Sequence, residues 1–213
     1  RGAVVCNDSS LERKGDQWFV HGDPMEGALL VAGMKAGLEL DSELKLYPRT
    51  DLIPFESEHR FMATLHHSHS NGSFIFVKGA PERLLEMCAS QRTLDGQRTL
   101  DKEYWLDKID EMAQQGQRVL AIAVKPVNQD KIELTFNDVE NELTMLALFG
   151  LIDPPREESI NAIKQCQQAG IRVKMITGDH GATAQAISRQ LKLENTAEVL
   201  TGHDIESMSE DAL

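Results

Sequence analysis

Apolar residues follow two rhythms along this chain, and the change from one to the other divides it. In the first part, short apolar runs are separated by turn residues. Gly2–Asn7 fits either a short helix or a strand end, and Gln17–His21 predicts a strand stopped by Gly22. At Asp23-Pro24-Met25-Glu26 the pattern predicts a helix start, with Asp capping, Pro at the first position and Glu closing a capping box. That helix carries Leu29, Leu30, Ala32 and Met34 until Gly37. Arg60–His66 and Phe74–Lys78 read as strands around Asn71-Gly72, a hairpin signal. Pro81 opens another helix. Over 101–115, Trp105, Ile109, Met112 and Ala113 form one helical stripe that ends at Gly116. Val119–Val124 and Leu143–Ile152 are continuous enough to be buried strands.

At Asp153-Pro154-Pro155-Arg156 the grammar changes. Paired prolines continue neither a ladder nor a helix, so a hinge is expected there. Beyond it the order becomes helix (Glu157–Ala169), strand (Arg172–Ile176) and helix (Ala182–Leu191), which is crossover order. The expectation is an α+β domain over 1–152 with an antiparallel sheet flanked by helices, then a partial α/β domain over 153–213.

Composition narrows the functional classes. A formal net charge of -12 argues against nucleic acid or an anionic membrane surface as partner, since both reward clustered cations. With 41% hydrophobic residues the chain can build a core. Cys6, Cys88 and Cys166 are odd in number and far apart, so neither a disulfide framework nor a zinc site is expected. No apolar run is long enough to span a bilayer and no signal peptide opens the chain, so a soluble, reduced protein is expected.

Four segments offer chemistry, each with an ordinary structural use beside it. Gly22–Leu29 is either a ligand loop or just a capped helix start. Pro54–Met62 sets Phe55 at a strand edge before several charges, where a ring serves as core or as stacking platform. Lys78-Gly79-Ala80-Pro81-Glu82 puts a cation and small residues at a helix N-terminus, which suits a phosphate but also fits a solvated lysine. Met175-Ile176-Thr177-Gly178-Asp179 places a hydroxyl where open α/β sheets hold ligands. Neither a Walker A sequence nor a dinucleotide fingerprint occurs. His66, His67 and His69 lack an acidic or cysteine complement and are expected to be solvated turn residues.

In this order and spacing, the segments closely resemble the P-type cation-transporting ATPases of the calcium, sodium/potassium and proton branch. The matching pieces are Cys6-Asn7-Asp8, Gly22–Leu29 (family pattern GDPTEGAL), Pro54–Met62, Lys78–Glu82 (KGAPE), Arg118–Ala121, Asp153–Arg156 (DPPR) and Met175–His180 (MITGDH). The resemblance runs from near residue 5 to the C-terminus. It implies a nucleotide-binding domain inserted into a phosphorylation domain of haloacid-dehalogenase type. It also implies that Phe55 stacks on adenine, Glu26 approaches the adenine edge and Lys78 closes the pocket, with Gly79 and Ala80 admitting close backbone. Ser57 and Arg60 follow the bacterial form of the pattern and belong to the same nucleotide site. Arg118 reaches toward the phosphates, Asp153 and Arg156 contact phosphate at the hinge, and Thr177, Gly178 and Asp179 support phosphoryl transfer. Met25 stands where the pattern has threonine, so a hydroxyl contact there is lost.

The implied cofactors are ATP and Mg²⁺, with the Mg²⁺ ligands mostly outside these residues and no metal site within them. The implied setting is a cytoplasmic domain of an integral membrane pump of a bacterial inner membrane. Its partners are ATP or ADP and the pump's remaining phosphorylation, actuator and transmembrane parts. The aspartyl-phosphate motif DKTGT, the magnesium motif GDGVND and the actuator TGE loop do not occur in the sequence, so an isolated piece of such a pump is expected to be inactive. Two other readings stay open: a haloacid-dehalogenase-type phosphatase bearing a cap domain, and a non-catalytic nucleotide-binding module.

Overall fold

A computed structural model describes the chain except for residues 69–71, 154, 179–180, 198 and 209–213. Contacts gather it into two units, 1–106 with 119–151, and 107–118 with 152–213.

In the first unit the chain opens with α1 (Gly2–Val5), the hairpin β1 (Ser10–Lys14) and β2 (Gln17–His21), then α2 (Pro24–Lys35) and α3 (Leu40–Leu46). The α2 start is as the sequence predicts, since Asp23 Oδ1 accepts from the backbone N–H of Met25 at 2.8 Å and of Glu26 at 3.2 Å. There the capping box stops, because the Glu26 carboxylate turns to other partners. β3 (Arg49–Glu56), β4 (Phe61–Ser68) and β5 (Gly72–Gly79) follow, then α4 (Pro81–Met87), β6 (Cys88–Thr93) and β7 (Gly96–Thr99). The chain continues through α5 (Lys102–Gln114), where the division between units falls, to β8 (Arg118–Val127), α6 (Phe136–Val139) and β9 (Leu143–Leu151).

The sheet has seven strands in the order β3-β4-β5-β8-β9-β6-β7. β3 through β8 pair antiparallel along that order, as the hairpin pattern predicts. β6 instead runs parallel to β9, so the sheet is mixed rather than purely antiparallel. That pairing joins segments far apart in sequence and has no local signature.

Register assigns the faces. Met62, Lys78 and Ile122 stand opposite one another across β4, β5 and β8 and so share a face. On that side Val5, Cys6, Tyr47, Met62 and Phe76 form one buried cluster, and Ala3, Leu29 and Ile122 form another. Helices α1 and α2 therefore roof this face. Phe61, Ala63, Leu65, Ile75 and Val77 fill the opposite face and are all buried. His66 is fully buried rather than solvated, contrary to expectation; its ring bonds the Tyr47 carbonyl through Nδ1 at 2.9 Å and the Thr64 hydroxyl through Nε2 at 2.8 Å. The hairpin tip expected at Asn71, and His69, lie outside the described residues.

The second unit holds α7 (Glu157–Gln168), α8 (Gly181–Gln190) and α9 (Gly202–Ser207). The strand expected at Arg172–Ile176 is not formed, and among the described residues no strand follows β9. A strand needs a neighbour to satisfy its backbone groups, and here Ile176 is left 97% exposed while Val173 and Met175 are only half-buried. The helices are anchored locally: Thr183 Oγ1 donates to the Gln117 carbonyl at 3.2 Å, and Gln167 Nε2 to that of Lys192 at 2.9 Å.

Candidate functional site

The site builds from a charge that the sheet holds out of water. Lys78, near the end of β5, alternates onto the roofed face and is only 5% exposed. A lone buried ammonium is costly, so it needs a carboxylate. Glu26, in the first turn of α2, supplies one, and Lys78 Nζ donates to Glu26 Oε1. The second carboxylate oxygen, Oε2, accepts the Asp8 backbone N–H at 2.9 Å and the Ser9 hydroxyl at 3.3 Å. Asn7 ties this turn to both helices, donating from Nδ2 to the carbonyls of Ala3 at 3.2 Å and Glu26 at 2.9 Å. Sequence reasoning gave no roles to Asn7, Asp8 and Ser9, although Cys6-Asn7-Asp8 was among the segments carrying the resemblance.

Cys6 beside this pair is chemically quiet. Burial pushes its thiol up to about 11, despite the opposing pull of the Lys78 ammonium, and Sγ donates to the Phe76 carbonyl at 3.6 Å.

Phe55 lies on β3, an edge strand of the sheet, and is 60% exposed. β3 slips register between Ile53, opposite Ala63, and Glu56, opposite Phe61. Phe55 falls within that slip, where strand alternation does not carry through, so register assigns its ring to neither face. Two strand spacings, about 10 Å, separate β3 from β5. A bare aromatic ring on the edge strand thus stands two strands from a buried ion pair.

Between them runs the turn that carries Ser57 and Arg60, both exposed. Arg60 sits at φ 59, in the left-handed region, and its N–H closes the turn on the Glu56 carbonyl at 2.8 Å. Its own carbonyl accepts the Ala80 N–H at 2.9 Å. Gly79 makes that approach possible, since a Cβ there would come within 2.4 Å of the Arg60 oxygen and 2.7 Å of Phe61 Cα. Phe55, Ser57, Arg60, Lys78, Gly79 and Ala80 are therefore linked through one turn, with Glu26 bound to Lys78.

The remaining expected residues belong to the second unit. Arg118 opens β8 and is exposed. In the second unit, Asp153 and Arg156 line a cleft with Pro155, Ser159, Ile163, Ile187 and Leu191. Thr177 and Gly178 lie on exposed irregular chain, and Asp179 falls outside the described residues. Among the described residues, no group of three or more His, Cys, Asp or Glu gathers as a metal site, and no helix is long and apolar enough to cross a membrane.

A family of sequences matches this arrangement. The family described as "P-type ATPase, cytoplasmic domain N" matches residues 1–158, and the chain belongs to the P-type cation ATPases. The relatives it resembles are bacterial pumps. It is 48% identical to the cation-transporting ATPase pma1 of Synechocystis sp. over 88% of this chain and 21% of that protein. It is 40% identical to calcium-transporting ATPase 1 of Lactococcus lactis over 99% of this chain and 24% of that protein. The calcium-transporting ATPase of Bacillus subtilis is 34% identical over 99% and 24% respectively. The chain thus spans less than a quarter of the length of these relatives.

Proposed function

We propose that the first unit binds the adenine nucleotide of a cation-transporting P-type ATPase, with the base on Phe55. The observation that carries this reading is an exposed ring on the edge strand, joined through the turn 57–60 to the segment that holds a buried Lys78–Glu26 pair. Stacking on such a ring is worth about 1–3 kcal/mol per base. The Lys78–Glu26 pair forms the polar floor of the slot, and the carboxylate accepts from the base edge. Lys78 is too buried to meet phosphates directly. The exposed guanidinium of Arg60 serves them.

These residues orient a nucleotide and neutralise charge; none of them is the nucleophile. When bound, ATP with Mg²⁺ would supply the transferable phosphoryl group; among the described residues no group of three or more His, Cys, Asp or Glu gathers to hold the ion. In the parent pump, we infer, phosphoryl transfer to an aspartate outside these residues drives cation transport, which makes the chain a cytoplasmic part of a membrane protein. Asp153, Arg156, Thr177, Gly178 and Asp179 then belong to a partial haloacid-dehalogenase-like phosphorylation domain beginning near residue 153. The remaining phosphorylation, actuator and transmembrane domains are its partners.

Calorimetric titration of ATP and ADP tests the reading. Both nucleotides bind with similar, weak affinity, and Phe55→Ala weakens each about tenfold. Parent-like binding by Phe55→Ala would remove the base from this ring.

A further inference from the structure

The turn that follows Phe55 is short and exposed, and it contains a left-handed arginine, so something must fix its shape. Its backbone holds it by the Glu56 carbonyl, which accepts from His59 at 3.1 Å and Arg60 at 2.8 Å. The other hold is aromatic and comes from a distant segment. The Phe136 ring packs on the His59 ring at 4.6 Å between centroids, inclined by 57°. It also meets Phe61 edge-on at 6.2 Å. Phe61 carries the Arg83 guanidinium at 5.9 Å.

Phe136 is itself well anchored. It opens α6, whose capping box closes between Thr135 and Asp138, with the Thr135 hydroxyl donating to Asp138 Oδ2 at 2.7 Å. Lys131 Nζ pairs with Asp138 Oδ1 at 2.7 Å. Just before the helix, the Leu134 N–H donates to Asp51 Oδ2 on β3 at 2.7 Å. Behind the ring, Val139 is 1% exposed and Leu134 8%, while Phe136 remains 45% exposed. The segment between β8 and β9 is therefore bolted to the strand that carries Phe55, and it presents one half-exposed ring to the turn after it.

We propose that Phe136 is a positioning residue for the nucleotide platform, acting through His59 on the turn 57–60 and so on the orientation of Phe55. The hold acts on the turn through His59 and Phe61, while Phe55 keeps 60% of its surface exposed. It restricts the turn before ligand arrives, which lowers the ordering cost of binding. The inference rests on the reading that Phe55 carries the base.

The test is a set of ATP titrations of the whole 213-residue chain, with amide spectra recorded before nucleotide is added. Phe136→Leu keeps an apolar side chain but removes the ring, and Phe136→Tyr keeps the ring. We expect Phe136→Leu to raise the dissociation constant about two- to tenfold and Phe136→Tyr to stay within about twofold. Phe136→Leu also moves the amide resonances of 57–60 in the free protein. In the Phe55→Ala background, Phe136→Leu adds nothing further, because its effect passes through that ring. If Phe136→Leu does not fold, judged by loss of amide dispersion, His59→Ala removes the same stack and is read by the same criteria. Parent-like affinity of Phe136→Leu alongside weakened Phe55→Ala overturns the positioning role alone. So does a full additive loss in the double variant. Parent-like affinity of Phe55→Ala overturns the nucleotide reading, and the positioning role with it.

Discussion

Substituting Lys78 by Met perturbs the site's floor while conserving the length of its stem. In the parent, the Lys78 side chain is 6% exposed and that of Glu26 15%, so the pair sits where water screens it little. Removing the ammonium leaves a carboxylate held only by the Asp8 N–H and the Ser9 hydroxyl. Breaking a buried pair from one side costs about 3–5 kcal/mol. Two surviving donors and partial access to water put Glu26 at the low end, about 3 kcal/mol. Met fills the space of the stem, so no cavity adds to that figure. Replacing both partners, Lys78→Met with Glu26→Gln, removes the stranded charge and recovers most of the loss, a coupling of at least about 2 kcal/mol. Urea unfolding followed by tryptophan fluorescence is the assay, because Trp18 and Trp105 both belong to the first unit. The midpoint should fall at constant m, and the loss should change little with salt. A Lys78→Met stability within about 0.5 kcal/mol of the parent, or no coupling in the double variant, would refute the buried-pair reasoning.

Other consequences follow from the same geometry. Gly79→Ala drives a Cβ into the Arg60 carbonyl and should destabilise by about 1–3 kcal/mol in the same urea assay, whereas a neutral result would mean that the turn yields freely. Burial lowers His66 from 6.5 to about 4 in the folded chain. The unfolded state therefore binds the extra proton first, so this contribution to stability is complete above pH 6.5, falls as pH drops and is exhausted below about 4, at a cost of about 3 kcal/mol. Ring resonances of His66 that titrate near 6.5 would contradict it. The chain incubated with γ-labelled ATP and Mg²⁺ should remain unlabelled, because its sequence holds no DKTGT nucleophile; a stable label on any carboxylate would count against that.

Much of this fold was legible where signals were local. The Asp23-Pro24 cap, the alternation in β4 and β5, and the helical stripe through Ile109 and Ala113 each specify an element from its own residues. β6 and β7 were not legible: Ser90-Gln91-Arg92-Thr93 is polar, and β6 joins the sheet through its parallel pairing with β9. Arg172–Ile176 shows the converse, a segment whose Val173, Met175 and Ile176 suggest a strand but which has no ladder to join. At the site, the residue types were readable but their partners were not. Glu26 was assigned to a capping box because Asp23 lies three residues earlier. Tertiary packing gave its carboxylate to Lys78, which is 52 residues away in sequence. Phe136 carried no signal at all, since its contact with His59 exists only once β3, β4 and α6 are assembled.

Nucleotide binding on the Phe55 face is tested most directly by titrating the isotopically labelled chain with ATP and mapping the amide shifts. The expected result is a set of progressive shifts centred on Phe55, Glu26 and Lys78–Ala80, with those at 57–60 moving in step. Shifts confined to the β1–β2 hairpin or to the α7–α8 cleft, or a spectrum unchanged at millimolar ATP, would contradict it.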